Sequence, residues 1–277
     1  MFDQLSLKVN LKLSQLIAAL CTTALLVEFL LWVTHPIVVS QGIFLTLFTG
    51  ITVLLLVGIE RAFVPLFLLS TFTLITAWRL SALAQYTAAT WILTLAVFLK
   101  LINYLLFSIE SIQHNKSISQ EQHQATRFEW QLMFIRLFIG LDLIPHFCEK
   151  LFAGAAIRAD DIQAFMHLNV PHPAAFVLVA GLVELAGALS LSCGFITRLG
   201  SFCLAIYMMV ATYLGHHFSK GFIWASQGGG WEYPVLWTVL ILSFTVFGAG
   251  HFSIDQYLKT KLTLPRWIKR LMGGQHV

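Results

Sequence analysis

The chain has 277 residues, of which 58% are hydrophobic and only 11% are charged, and its mean hydropathy is +0.79. Soluble domains contain about 45–50% apolar and about 25% charged residues, so this composition excludes a water-soluble protein and indicates an integral membrane protein. The net charge of +4 fits basic loops and a basic tail near anionic lipid, and we expect no nucleic-acid partner.

Eight apolar runs are each long enough to cross the hydrocarbon core, which takes about 20 residues of helix. Helices are required because backbone amides in lipid must be satisfied within their own segment, and the alternation of a transmembrane barrel is absent. The predicted helices lie at residues 14–33, 40–58, 62–80, 88–110, 131–153, 173–193, 198–219 and 231–250. The first is expected to stay in the mature protein, because its apolar run is too long for a signal peptide and contains no small-residue cleavage site. The predicted fold is an all-α polytopic membrane protein.

A polar stretch at residues 111–130 divides the eight predicted helices into two blocks of four. It is rich in Ser, Gln and charged residues and has no apolar periodicity. We predict four regions: an unassigned N-terminal block at 1–110, a polar cytoplasmic linker at 111–130, a four-helix bundle at 131–256 and a basic cytoplasmic tail at 257–277. Each block has a short turn with Gly and Arg between its second and third helices, which leaves a duplication open.

The distribution of Lys and Arg predicts the orientation in the membrane. With eight helices both termini share one side, which carries eleven basic residues: Lys8, Lys12, Arg61, Lys116, Arg127, Arg198, Lys259, Lys261, Arg266, Lys269 and Arg270. The opposite side carries four: Arg79, Lys150, Arg158 and Lys220. We therefore predict a bacterial-type inner membrane protein with both termini in the cytoplasm.

Ionisable side chains lie inside the predicted helices of both blocks. In the second block they are Arg136, Asp142 and Glu184, and each costs about 2.5–3.5 kcal/mol in a bilayer unless it faces a partner or a cavity. Asp142 and Glu184 should lie near the membrane middle, with Arg136 about two turns closer to the cytoplasm. They could clamp the helices together, or the carboxylates could transfer protons next to a quinone. In the first block Glu28 and Lys100 are expected to form a clamp.

The extracytoplasmic face of the second block carries further candidates for binding a substrate or quinone. They are His146, Lys150, His216, His217, Trp231 and Glu232. The two adjacent histidines point about 100° apart on a helix, so at most one faces the bundle interior. No spacing matches a metal-ligand pattern, and we predict no metal site. Trp231 and Glu232 are also typical of a headgroup-level tryptophan belt and of a favourable acid in a first helical turn.

Six short motifs follow one another in the second block. They are R-x3-G at Arg136 and Gly140; H-x3-K at His146 and Lys150; G-x2-E-x2-G at Gly181, Glu184 and Gly187; G-x2-TR at Gly194, Thr197 and Arg198; GGWE-x-P at Gly229 to Pro234; and G-x-G-x2-S-x-D at Gly248, Gly250, Ser253 and Asp255. Residues 131–256 thereby resemble the DoxX family of four-helix membrane proteins, which includes the DoxD-type subunit of thiosulfate:quinone oxidoreductase. Phe147 and Ala249 stand where the family usually has Gly and Pro, so loop shapes could differ there.

The resemblance implies a membrane component of a quinone-linked redox or oxidative-stress system, with quinone as its cofactor and a periplasmic or membrane redox partner. Glu184, Arg136 and Asp142 are then the candidate catalytic residues. Structural roles are implied for Arg198, Asp255, Gly194, Gly248 and Gly250, and Arg198 is expected to form a salt bridge with Asp255.

Two alternatives remain open beside the redox interpretation. The sequence has no flavin, dinucleotide or iron–sulfur motif, so a partner or the quinone itself must carry the electrons in any redox reaction. The protein could instead be a non-enzymatic scaffold or assembly factor that docks a periplasmic partner. Duplicated halves would favour a small-solute transporter.

Overall fold

The computed structural model describes residues 2–35, 39–58, 63–114 and 120–272, and no strand occurs in these ranges. Helices account for 82% of the residues that the structure describes, which confirms the predicted all-α class. Six of the described helices are long and apolar enough to span a membrane, and two shorter apolar helices lie at Ala88–Tyr104 and Glu232–Phe247. The polytopic membrane architecture is therefore confirmed, and the two shorter helices fall at the fourth and eighth predicted spans.

The chain divides into two compact units, residues 1–127 and 128–277. The helices of the first unit are α1 (Phe2–Thr34), α2 (Val39–Gly58), α3 (Phe63–Leu83) and α4 (Ala88–His114). Its core packs Ile17, Cys21 and Ala24 of α1 against apolar side chains of the other three helices. Hydroxyl groups link the helices as well, because Thr52 donates to Thr73 at 2.8 Å and the Trp78 indole donates to a neighbouring threonine at 2.7 Å.

The structure gives Glu28 different neighbours from the lysine that we predicted. The side chains that act on its carboxyl group are Thr46 and Thr49 of α2. The charge of Lys100 acts on Cys21 instead, and Cys21 lies about two turns along α1 from Glu28. Matching the membrane depths of Glu28 and Lys100 from their positions along the helices therefore did not identify the neighbours of Glu28.

The second unit contains the remaining helices. They are α5 (Gln120–Asp142), which begins before the boundary, α6 (Ile144–Leu151), α7 (Ala155–His167), α8 (Pro173–Cys193), α9 (Thr197–Leu214), α10 (Glu232–Phe247), α11 (Ile254–Lys261) and α12 (Arg266–Leu271), with a 3-10 turn at His217–Lys220. Helix α8 packs against α6, α7 and α9, and α9 also packs against α10. The core of this unit is therefore built around α8 and α9.

Helix boundaries differ from the sequence prediction on both sides of α5, and α1 begins at Phe2, about twelve residues before the predicted span. The span predicted at 131–153 is interrupted at Leu143, between α5 and α6, where Pro145 in the first turn of α6 lacks the amide needed to continue the ladder. The polar stretch 111–130 is helical wherever it is described, because α4 extends to His114 and α5 begins at Gln120. Its Gln, Glu and Ala residues are good helix formers even without an apolar face.

The end of the second unit where α8 finishes and α9 begins is closed by two buried charges, and we call it the capped end. The Arg136 guanidinium is fully buried and donates to the carbonyls of Leu191 and Ser192, in the last turn of α8, and to that of Phe252. The buried Asp255 carboxylate accepts from the backbone amides of Ile196 and Thr197 at 2.7 and 2.9 Å. A cation thus satisfies orphan carbonyls and an anion satisfies orphan amides, in agreement with the helix dipoles.

The capped end also contains the glycines for which a structural role was expected. Gly194, Gly248 and Gly250 have φ values of +67°, +77° and +75°, a conformation that glycine adopts without strain. A Cβ atom at Gly194 would collide with Ser253 and the Arg136 guanidinium. Arg198 donates to the Val246 carbonyl at 3.3 Å. We expected Asp255 only as a salt-bridge partner of Arg198. In the structure its carboxylate also caps the start of α9 by accepting from the backbone amides there.

Candidate functional site

At the opposite end of the second unit, a cavity of about 290 Å³ lies among α5, α6, α8, α9 and α10, and we call it the Glu184 cavity. Its polar lining consists of Asp142, His146, Glu184 and Tyr207, and its aromatic lining consists of Trp224, Tyr233 and Trp237. Asp142, His146, Trp224 and Tyr233 are exposed, whereas Glu184 and Trp237 are buried. The cavity therefore has an open rim and a buried floor that contains an ionisable group.

Glu184 reaches its position because two glycines flank it on α8. A Cβ atom at Gly181 would collide with Leu151 and touch Lys150, and one at Gly187 would collide with Leu204 of α9. The glycines therefore allow α6 and α9 to approach α8 closely on either side of the carboxylate. Close helix approach at small residues is the usual packing mode within membranes.

Both carboxylate oxygens of Glu184 face a donor from a neighbouring helix. The Lys150 ammonium nitrogen lies 3.1 Å from Oε2, and the Tyr207 hydroxyl donates to Oε1 at 2.5 Å. Lys150 also donates to the His146 carbonyl at 3.2 Å. The Lys150 and Glu184 side chains are only 11% and 6% exposed, so removing either partner would leave a buried charge without compensation.

A second carboxyl group, Asp161 on α7, lies within electrostatic range of this pair. Burial raises the pKa of Asp161 above the usual aspartate value, and the charge of Lys150 acts in the opposite direction. Helix α7 is fixed to α6 by Arg158, whose guanidinium donates to the Lys150 and Leu151 carbonyls at 2.9 and 2.8 Å. The Asp161 charge therefore adds to the field at Lys150.

The loop from residue 215 to 231 folds over the cavity and places Trp224 in its lining. His217 Nδ1 lies 2.8 Å from the Gly229 carbonyl oxygen, and its ring lies 5.4 Å from that of Trp224. The Glu232 carboxylate accepts from the Trp224 amide at 3.1 Å. The Trp231 ring packs edge-on against another aromatic ring of the loop. These residues thus hold the shape of the loop.

The three consecutive glycines of this loop, Gly228 to Gly230, are required for two different reasons. Gly228 and Gly229 have φ values of +84° and +73°. A Cβ atom at Gly230 would collide with the backbone carbonyls of residues 221–223. The glycines therefore let the chain turn back and pass directly against its own backbone before α10 begins.

Comparison with known proteins agrees with the motifs. The DoxX family model matches residues 131–217. A Haemophilus influenzae protein described as "Uncharacterized protein" is 34% identical over 79 residues, which are 28% of this chain and 59% of that relative. The chain thus spans less than two thirds of the relative's length. A search of solved structures found no match.

The matched segment, residues 131–217, contains Arg136, Glu184 and Tyr207. It brings together Asp142, His146, Glu184 and, through its ion pair, Lys150. It does not bring Arg136 to the carboxylates, because the guanidinium bonds to carbonyls at the capped end. That predicted grouping is corrected by the structure.

The described cavity lining does not include the four predicted loop residues, which are His216, His217, Trp231 and Glu232. Two of them, His217 and Glu232, contact the lining residue Trp224. His217 contacts Gly229 and Trp224 of the loop, and His216 has the positive φ of a turn residue.

Sequence reasoning missed Tyr207 and the aromatic lining. Tyr207 carries no charge, so a search for ionisable groups within the membrane did not select it. The available signal was a hydroxyl-bearing ring in the apolar α9, on a neighbour of the helix that carries Glu184. Trp237 was not among the predicted site residues, yet it is 8% exposed and lines the cavity.

Proposed function

We propose that this DoxX-domain protein is the membrane component of a quinone-linked redox system and that the Glu184 cavity binds the quinone headgroup. The observation that supports this proposal most is the Lys150–Glu184–Tyr207 chain, whose members Glu184 and Tyr207 line an aromatic-walled cavity inside the membrane bundle. An ionised pair at this position is costly to bury and therefore indicates a functional site.

The size and lining of the cavity suit one ring. Its volume of about 290 Å³ is at the lower end of the roughly 300–1,000 Å³ of ligand pockets, which is enough for a headgroup but not for a long isoprenoid tail. Trp237 and Tyr233 offer aromatic faces for ring stacking. The His146 imidazole at the rim offers a donor to one quinone oxygen. The Tyr207 hydroxyl offers another when it turns away from Glu184, which accepts its hydrogen bond in the free protein.

The proton chemistry follows from the same contacts. Reduction of a quinone to a quinol consumes two electrons and two protons. Tyr207 turns its hydroxyl towards one quinone oxygen, passes its proton there and takes a replacement from Glu184, which is protonated in turn from water at the open rim. The second quinone oxygen takes its proton from the same water. The Lys150 ammonium stabilises Glu184 in its carboxylate form between transfers. The electrons are assigned to a redox partner, because the sequence carries no flavin, dinucleotide or iron–sulfur motif.

The proposal includes an orientation. In an inner membrane with both termini in the cytoplasm, the capped end faces the cytoplasm and the Glu184 cavity opens towards the extracytoplasmic side. A periplasmic or membrane redox partner would then meet the rim formed by His146 and Trp224. Fusing a reporter enzyme after α12 or within the loop at residues 215–231 tests this orientation.

The experiment is quinone binding by the purified full-length protein in detergent, measured by quenching of tryptophan fluorescence with decylubiquinone. Glu184→Gln should weaken binding about tenfold, because the hydroxyl–carboxylate–ammonium chain is broken. Asp160→Asn on the exposed face of α7 is the matched control and should bind as the unaltered protein does. Equal affinities of Glu184→Gln and the unaltered protein would refute the proposal.

The scaffold alternative makes a different prediction for the same variant. The loop at residues 215–231 exposes Phe222 and Ile223, at 52% and 58%, which suits docking of a partner protein. If the protein is only a scaffold, Glu184→Gln lowers the melting temperature and quinone does not bind to either form. Ile223→Asp, which puts a charge on this apolar surface, would then abolish recovery of a defined periplasmic partner.

A further inference from the structure

The first unit contains a second cavity, which the proposed quinone site does not use. It has a volume of about 570 Å³ and lies between α1 and α2, and we call it the Glu28 cavity. Its lining includes Leu25, Glu28, Phe29, Trp32, Ile43 and Thr46. Its volume is in the middle of the range of small-molecule sites, roughly 300–1,000 Å³.

Among the described residues of this lining, Glu28 is the one ionisable side chain. It is 3% exposed, and within the described part of the chain neither carboxyl oxygen has a hydrogen-bond partner. Thr46 and Thr49 lie beside the carboxyl group without reaching hydrogen-bond geometry with it, and the Thr46 hydroxyl instead accepts from the Trp32 indole at 3.0 Å. A buried carboxyl without a partner in a membrane-spanning helix indicates a missing donor or cation.

Aromatic rings stand next to this carboxyl group. Trp32 is held by its bond to Thr46 and by close packing on Gly42, where a Cβ atom would collide with the indole ring. Phe29 adds a second ring one position from Glu28. A carboxylate beside aromatic faces is the arrangement that binds organic cations, through charge pairing and cation–π attraction.

The cavity is accessible from the bilayer. Phe29 and Ile43 are 65% and 55% exposed on the surface of the unit, in helices long and apolar enough to span a membrane. A ligand that is itself apolar and dissolved in lipid could therefore enter between α1 and α2. These observations call for an apolar ligand that carries a positive charge.

We propose that the Glu28 cavity binds a lipophilic organic cation, such as a hydrophobic amine or phosphonium, with its charge on Glu28 and its apolar groups against Trp32 and Phe29. The ligand enters laterally from the membrane. This site is separate from the Glu184 cavity and does not depend on quinone binding there.

The test is equilibrium dialysis of radiolabelled tetraphenylphosphonium against the purified full-length protein in detergent. Saturable binding is expected with about one site per chain. Glu28→Gln keeps the shape of the side chain and removes its charge, and it should weaken binding at least about tenfold. Trp32→Leu should weaken binding about threefold to tenfold. Asp160→Asn, an exposed acid in the other unit, is the control and should leave tetraphenylphosphonium binding unchanged.

Three results would overturn the proposal. They are absence of saturable binding, equal affinity in Glu28→Gln, and equally good competition by neutral triphenylphosphine oxide. If Glu28→Gln does not fold, Gly42→Ala replaces it, because this change displaces the Trp32 ring and leaves the carboxyl group in place. It should then weaken tetraphenylphosphonium binding, and unchanged binding would count against the site. Quinone binding by Glu28→Gln should stay normal, so the two proposals can fail separately.

Discussion

The two ends of the second unit both bury charge, but they satisfy it in different ways. At the capped end, Arg136 and Asp255 bond to backbone groups at the ends of α8 and α9. At the Glu184 cavity, the carboxylate bonds to side chains of other helices, and part of its surroundings is open volume. The first arrangement fixes helix ends, whereas the second leaves room for a ligand and for movement of a proton.

The difference shows how to separate structural from functional charges within a membrane. Backbone carbonyls and amides at helix ends cannot move away or change protonation, so a side chain bonded to them is committed to the fold. Hydroxyl, ammonium and carboxylate groups can exchange protons, and their rotamers can adapt to a bound molecule. Cost of burial alone does not distinguish the two cases.

The largest expected effect is at the capped end. Arg136→Met should lower the free energy of unfolding by about 3–5 kcal/mol, because the carbonyls of α8 lose their donor and Asp255 loses a nearby positive charge. Denaturant unfolding in detergent micelles, followed by circular dichroism, measures it. Arg127→Met, an exposed position on the same helix, should change stability by less than about 0.5 kcal/mol. Equal effects of the two changes would show that the capped end does not hold the helices.

Tyr207→Phe is the corresponding test at the Glu184 cavity, and a smaller effect is expected. It removes one hydrogen bond to a buried carboxylate, so the free energy of unfolding should fall by about 1.5–3 kcal/mol, while Lys150 still compensates the charge. Tyr213→Phe on the same helix is the control, since Tyr213 is 72% exposed. The same unfolding measurement applies. A loss as large as that of Arg136→Met would remove the distinction between the two ends.

Much of the fold could be predicted from apolar length alone. The helix predicted at 173–193 has these bounds in the structure, and the other predicted spans begin or end within a few residues of a described helix, apart from the break at Leu143 and the early start of α5. Length and hydropathy suffice here because the bilayer core has a fixed thickness. They do not identify contacts, since they give the depth of a residue and not its direction around the helix axis.

The residues of the candidate site show that membrane depth alone does not predict which side chains are in contact. Arg136 and Asp142 are six residues apart, so at about 100° per residue their side chains point about 120° apart and cannot face the same neighbour. Lys150 was expected at the extracytoplasmic face, and Glu184 near the membrane middle, yet a long lysine side chain joins the two at 3.1 Å. A helical-wheel comparison would have separated Arg136, but the ion pair also needs the close approach of α6 to α8 that Gly181 allows.

The smallest expected effect concerns Asp161, which lies beside the Glu184 cavity on α7, outside the membrane-spanning helices. Its pKa is raised above the usual 3.8, mainly by burial, so its protonated form favours the folded state. The stabilisation is complete below pH 3.8 and is lost as pH rises through the higher folded pKa. The unfolding free energy of the unaltered protein should therefore fall relative to that of Asp161→Asn across this window, by less than about 1 kcal/mol because solvent screens the group. Asp160→Asn should retain the pH dependence of the unaltered protein, and a flat difference curve for Asp161→Asn would show that folding does not raise the pKa of Asp161.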